Sequence, residues 1–175
     1  SSYFVTYWAI ALSYRINSWL GHAVALWLTY TTLAMKDLAD EARGIYRELR
    51  RGRIEEARSR VAGIVGRDTE NLSKEEICRA TIETVAENTV DGIVSPLFYA
   101  FLGGPALAMA FKAASTLDSM VGNKSERYLY LGWCSARMDD VLNFLPARLG
   151  GVLMLMVSAV IGLNPRGAVM AVTSD

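Results

Sequence analysis

Gly92-Ile-Val-Ser-Pro-Leu-Phe-Tyr-Ala-Phe-Leu-Gly-Gly-Pro-Ala-Leu-Ala-Met-Ala-Phe111 is a run of 20 residues without a charge. Length alone would let it cross a bilayer, whose hydrocarbon core takes about 20 apolar residues of helix. Its sequence argues otherwise. Pro96 and Gly103-Gly104-Pro105 divide it into halves that are each too short to cross. Proline has no N–H to donate and clashes with the preceding turn, so the helix breaks or kinks at Gly104-Pro105. The expected form is a re-entrant hairpin, its broken tip sheltered by protein. A simple kinked span is the alternative, and it would place the flanking segments on opposite faces of the membrane.

The flanks carry the charge. Residues 36–91 hold 11 of the 18 basic and 13 of the 18 acidic side chains, whereas residues 1–35 hold only Arg15. Charge returns between Lys112 and Arg148, and 149–163 is again uncharged. A soluble helical protein spreads charge along one face of every helix, so blocks of this kind indicate a membrane protein. Both polar segments are basic, with 11 and five Lys/Arg, and the positive-inside rule favours a hairpin with both loops cytoplasmic. Residues 21–35, extended back past Asn17, make one further span. Residues 3–14 are too short alone and read as the remnant of a preceding span. Tyr3, Tyr7, Trp8, Trp19, Trp27 and Tyr30 are the aromatics expected near headgroups.

The polar segment reads as helices. Leu38, Ala39, Ala42, Ile45, Tyr46 and Leu49 recur at three-four spacing, Gly52 marks a break, and 54–64 resumes. Ser73-Lys-Glu-Glu76 is a capping box that starts a helix running to about residue 88. The fold class is all-α: a polytopic helical membrane protein with a broken or re-entrant hydrophobic hairpin and helical cytoplasmic loops. It reads as a single membrane domain over 1–175, comprising apolar 1–35, polar loop 36–91, hairpin 92–111, polar motif loop 112–148 and apolar 149–163. The opening Ser-Ser-Tyr-Phe has no Met and no basic n-region, so the chain reads as a piece of something longer.

Composition removes several function classes. With zero net charge, the chain is not a generally basic nucleic-acid binder. Cys78 and Cys134 are too far apart for a Cys-x-x-Cys zinc site and read as small buried packers. The single histidine, His22, reads as a satisfied core or interfacial residue. Neither common nucleotide-binding signature is present.

Acidic clusters remain. Glu83, Glu87 and Asp91 fall at i, i+4 and i+8, and three carboxylates on one stripe repel unless a cation or basic groups face them. Mg²⁺ suits such oxygen ligands, with a solvated helix face as the bland alternative. Asp139 or Asp140 lies within one turn of Asn143, and Thr116-Leu-Asp118-Ser119 with Lys124 follows the hairpin. Arg67-Asp68-Thr69 offers a guanidinium and a hydroxyl for phosphate, against an ordinary turn. Lys112 could equally snorkel to the interface.

In order along the chain, Val65-Gly66-Arg67-Asp68-Thr69, Ala86-Glu87-Asn88-Thr89-Val90-Asp91-Gly92, Ser95-Pro96-Leu97-Phe98-Tyr99, Thr116-Leu117-Asp118-Ser119-Met120-Val121-Gly122 and the run from Ala136-Arg137-Met138-Asp139-Asp140 through Asn143 to Arg148 resemble the adenosylcobinamide-phosphate synthase family of cobalamin biosynthesis. The resemblance covers about residues 23–163. It implies a multi-pass protein of the cell (inner) membrane that amidates adenosylcobyric acid with aminopropanol or its phosphate. ATP would be the co-substrate and Mg²⁺ the cofactor. Amide synthesis of this kind needs phosphoryl transfer, which rests on positioning and charge neutralisation. The expected metal ligands are Glu83, Glu87 and Asp91. Asp118, Asp139, Asp140 and Asn143 are the expected catalytic residues, and Arg67, Asp68, Thr69, Lys112, Lys124, Arg137 and Arg148 the substrate-binding ones. Arg67, Lys112 and Lys124, with Asp139, Asp140 and Asn143, are expected to oppose the acidic stripe. A non-catalytic membrane regulator or sensor related to the same family would not need the acidic motifs. Their presence favours the enzyme. A lipid-linked diphosphate transferase would rest on Asp139-Asp140 alone.

Overall fold

Ser73 shows how locally this chain is specified. Its Oγ accepts from the Glu76 N–H at 3.3 Å, and Glu76 Oε2 accepts from the Ser73 N–H at 2.7 Å, the reciprocal pair the sequence called for. It opens one of seven helices that the computed structural model of the chain contains among its described residues, which are 2–33, 35–65, 68–121 and 129–162. In order these are α1 (Ser2–Ile16), α2 (Ser18–Thr32), α3 (Met35–Arg50), α4 (Ile54–Ala62), α5 (Lys74–Thr89), α6 (Ser95–Val121) and α7 (Leu129–Val160), with a π-turn at Val90–Val94 between α5 and α6. Among those residues there is no strand. The chain divides into two compact units, Leu33–Ile93 and Ser1–Thr32 with Val94–Asp175.

The polar segment forms the first unit, with a core of its own. Ile45 and Leu49 of α3, Ala57 and Val61 of α4, and Ile77 and Ala80 of α5 are buried together, each pair three or four residues apart and so on one helix face. Gly52, with φ 73°, ends α3 at the expected break. Tyr46, expected on the buried stripe, is exposed and lies under the Arg50 guanidinium, 5.9 Å from its ring centre. Glu48 is buried at the unit's edge, between Arg51 at 3.4 Å and Arg53 at 3.7 Å. Arg58 ties α4 to the segment before α5 by donating Nε–H to the Leu72 carbonyl at 2.9 Å.

In the second unit, α1 and α2 pack on each other and both pack on α6, which packs on α7. The span drawn from residue 21 back past Asn17 needs correcting. Asn17 Oδ1 accepts from the Trp19 N–H at 2.8 Å, so Asn17 is an N-cap that starts α2 instead of a residue inside a longer helix. Tyr14 Oη and His22 Nδ1 are 2.9 Å apart, whereas eight residues of continuous helix would separate them by about 12 Å. The chain therefore folds back at Asn17. His22 is hydrogen-bonded, as expected, but exposed. Cys78 and Cys134 are exposed, not buried; Cys78 sits about a quarter-turn away from Ile77, which faces the core.

Helix α6 breaks where the sequence said it would, at Gly103 (φ −147°, ψ 22°) and Gly104 (φ 70°, ψ −169°). Glycine alone adopts the second conformation readily. The two arms, 95–102 and 105–121, lie against each other. The Tyr99 ring stacks on Phe111, with centroids 5.1 Å apart and planes at 17°, although twelve residues of unbroken helix would span about 18 Å. At the tip, Phe101 and Leu102 are exposed. Candidate membrane spans, by length and composition, lie within Lys74–Met120 and Gly132–Val160. The stretch read as polar loop 112–148 is largely helix, split between the end of α6 and the first half of α7.

Candidate functional site

The fold of α6 brings two segments of one helix onto the same turn of α7. Ser95 and Tyr99, one turn apart on the first arm, reach Asn143 and Leu142. Ser95 Oγ donates to Asn143 Oδ1 at 2.6 Å, and the Tyr99 hydroxyl donates to the Leu142 carbonyl at 2.8 Å. The second bond has a covalent cause. Pro146, fully buried inside α7, has no N–H for the carbonyl four residues earlier, and that carbonyl is Leu142's. Tyr99 supplies the missing donor.

The second arm brings acid to the same place. Asn143 Nδ2 donates to Asp139 Oδ2 at 2.9 Å, while Ser115 and Asp118 act on the Asp139 carboxyl from α6. Asp139 Oδ1 and Asp118 Oδ1 are both buried and, among the described residues, have no hydrogen-bond partner. Two carboxylates that approach each other repel when both are ionised, and a buried acceptor without a donor is costly. A cation shared between them would answer both. Asp140, the next residue, points elsewhere, because successive helical residues are about 100° apart. It is exposed and pairs with Arg137 at 4.0 Å. The inward face of α7 instead carries Gly132, Ser135, Asp139, Leu142, Asn143, Pro146 and Gly150. Beside this cluster opens an apolar cavity of about 490 Å³, lined in part by Tyr99, Leu107, Phe111, Leu117, Met138 and Leu142.

Four of the expected residues thus lie in this region of α6 and α7: Asp118, Asp139 and Asn143 face inward, and Asp140 faces out. Lys112 is half-buried on the second arm. Arg137 also lies over Trp133, 6.0 Å from its ring centre. Arg148 is exposed on α7; its guanidinium covers the Phe144 ring at 3.6 Å and donates to the Phe144 carbonyl. In the other unit, Asp68 Oδ1 accepts from the Glu70 N–H at 3.0 Å, and buried Thr69 donates to the Arg58 carbonyl at 3.4 Å. Asp68 is thus engaged within the turn, and Thr69 ties the turn to α4. Arg67 and Lys124 lie outside the described residues. Glu83 and Glu87 share α5, and Asp91 falls in the π-turn that follows it. Among the described residues no three acidic, histidine or cysteine side chains converge to hold a metal. Ser95 and Tyr99 stand in the sequence only as members of the Ser95–Tyr99 motif, with no role assigned to either, and Ser115 carries no sequence signal. Pro146 was the available signal for Tyr99, since a buried mid-helix proline implies a hydroxyl or amide donor elsewhere.

Comparison with known proteins adds the following. The family model described as CobD/Cbib protein matches residues 1–174. The chain is 52% identical over 164 residues to a cobalamin biosynthesis protein CobD of Listeria monocytogenes serotype 4b, covering 94% of this chain and 52% of that protein. It is 53% identical over 150 residues to a cobalamin biosynthesis protein CbiB of Salmonella typhimurium, covering 86% and 47%. With a CobD of Pelobacter propionicus it shares 52% identity over 171 residues, covering 98% and 53%. The chain spans about half the length of these curated relatives. No solved structure matches it.

Proposed function

Because this chain belongs to the CobD/CbiB family of cobalamin biosynthesis proteins, we propose that it carries the phosphoryl-transfer site of an adenosylcobinamide-phosphate synthase. The reaction joins adenosylcobyric acid to aminopropanol or its phosphate at the expense of ATP. A carboxylate oxygen of the corrin attacks the γ-phosphorus and ADP leaves. The amine nitrogen then attacks the acyl carbon, loses a proton, and expels phosphate.

The observation that carries this reading is the pair of buried oxygens on Asp118 and Asp139 that have no hydrogen-bond partner among the described residues. They fit a hard divalent cation, which takes one or two carboxylates and leaves its other positions to water and substrate phosphate. The reading therefore places Mg²⁺ on Asp118 and Asp139 in preference to the stripe of Glu83, Glu87 and Asp91, where Glu83 and Asp91 already interact with other groups. Bound there, Mg²⁺ would neutralise the charge that develops on the transferring phosphoryl group. Asn143 holds one Asp139 oxygen by hydrogen bond, and the other would be available to hold the cation. The open apolar pocket alongside, walled in part by Tyr99, Phe111 and Met138, would lower the amount of water near the acyl phosphate, whose hydrolysis would waste it.

We place the chain in the cell (inner) membrane, with α7 as a span and α6 as a re-entrant hairpin whose exposed Phe101 and Leu102 enter lipid. Residues 36–91, the end of α6 and the start of α7 then face the cytoplasm, where ATP is available. Asp139→Asn is nearly isosteric and removes the charge. It should abolish amide formation while leaving insertion and purification unchanged; full turnover in that variant would refute the site.

A further inference from the structure

Ser95 is 0% exposed, and no step of the proposed reaction uses it. Its hydroxyl donates to Asn143 Oδ1, and the same amide donates to Asp139 Oδ2. A carboxylate only accepts, so Asp139 requires the NH₂ side of the amide to face it. The amide oxygen must then point at Ser95, which has to donate. We infer that Ser95 is a positioning residue: it locks the Asn143 amide in the orientation that holds Asp139, and through Asp139 it aims the second carboxylate oxygen toward Asp118. This rests on the reading of Asp118 and Asp139 as the cation site.

The geometry supports positioning over nucleophilic catalysis. The Ser95 proton is committed to Asn143 at 2.6 Å, and among the described residues no histidine or lysine contact to its oxygen would activate it. The serine is also set rigidly. It opens α6 directly after the π-turn and precedes Pro96, itself fully buried, so its backbone has little freedom. Without the hydroxyl, the amide oxygen would lack a buried donor. Asn143 would turn to find one, and Asp139 would lose one of the hydrogen bonds that fix its plane.

The test uses the full-length protein in lipid nanodiscs, with Mn²⁺ binding followed by electron paramagnetic resonance and with the Mg²⁺ dependence of turnover measured in parallel. Ser95→Ala should weaken Mn²⁺ binding and raise the half-saturating Mg²⁺ by up to about 10-fold, the low end of what losing a ligand's direct hydrogen-bond partner costs, because Ser95 stands one bond further out. Ser95→Cys keeps the shape with a weaker donor and should lie between wild type and Ser95→Ala, even if the alanine variant does not fold. Combined with Asn143→Ala, Ser95→Ala should add no further loss, because Ser95 acts only through that amide. A Ser95→Ala protein with a lower Tm but unchanged Mn²⁺ affinity, or losses that multiply in the double variant, would overturn the proposal. Asp139→Asn separates the two levels. If it abolishes Mn²⁺ binding while Ser95→Ala does nothing, only the role of Ser95 falls. If Asp139→Asn binds Mn²⁺ as wild type does, the cation site falls and this inference with it.

Discussion

Removing a single oxygen, Tyr99→Phe, isolates the bond that compensates for Pro146. The ring should keep its place, because its stacking on Phe111 at 5.1 Å does not involve the hydroxyl. What is lost is the 2.8 Å bond to the Leu142 carbonyl. A neutral hydrogen bond contributes about 0.5–1.5 kcal/mol net, and leaving its buried acceptor unpaired costs about 1–3 kcal/mol. The expected destabilisation is therefore about 1–3 kcal/mol. At roughly 2–4 °C per kcal/mol for a domain of this size, Tm should fall by about 2–12 °C, measured by thermal unfolding in detergent. The cause can be separated from a general loss of packing. Pro146→Ala restores an N–H to α7, and that N–H can donate to Leu142 as in any helix. In that background Tyr99→Phe should cost little, giving a coupling of about 1 kcal/mol or more between the two positions. Equal losses in both backgrounds would refute the argument that Tyr99 stands in for the missing proline donor.

Gly104→Ala forces a side chain into a conformation that is essentially restricted to glycine, at φ 70° and ψ −169°. It should cost about 1–3 kcal/mol, and in a thermal melt of the full-length protein it should lower Tm together with amide formation as the two α6 arms lose register. Ser73→Ala removes the capping box, which should cost about 0.5–2 kcal/mol and speed hydrogen exchange at the Glu76 amide first; unchanged exchange there would contradict the cap. Glu87→Gln should leave the Mg²⁺ dependence of turnover at the wild-type value, and a marked rise in half-saturating Mg²⁺ would return the cation to the α5 stripe. Cysteines placed at Arg53 and Ser125 should both resist labelling from outside intact cells; labelling at Ser125 alone would make 92–111 a single crossing.

What the sequence made legible was what short-range rules govern. The breaks at Gly52 and Gly104, the capping box at Ser73 and the three-four spacing of Ile45 and Leu49 each depend on residues within a turn or two. Asn17 was misread because an asparagine between apolar runs can be either a tolerated interior residue or an N-cap, and only the bond to Trp19 decides. The site itself was half visible. Its acids stood out as carboxylates, but Asp139 and Asp140 are neighbours, and which one faces inward depends on the packing of α7 against α6. Ser95 and Tyr99 reach partners 48 and 43 residues away. No periodicity encodes such a pairing; it follows from the fold-back at Gly104, which sets both arms against one turn of α7.

The most direct test of the account is amide formation by the full-length protein supplied with ATP, Mg²⁺, adenosylcobyric acid and aminopropanol or its phosphate, with product and released ADP followed together. The account predicts one ADP per amide formed, release that depends on the amine, and loss of both in Asp139→Asn. ATP cleavage indifferent to the amine, or an Asp139→Asn protein that forms amide at the wild-type rate, would contradict it.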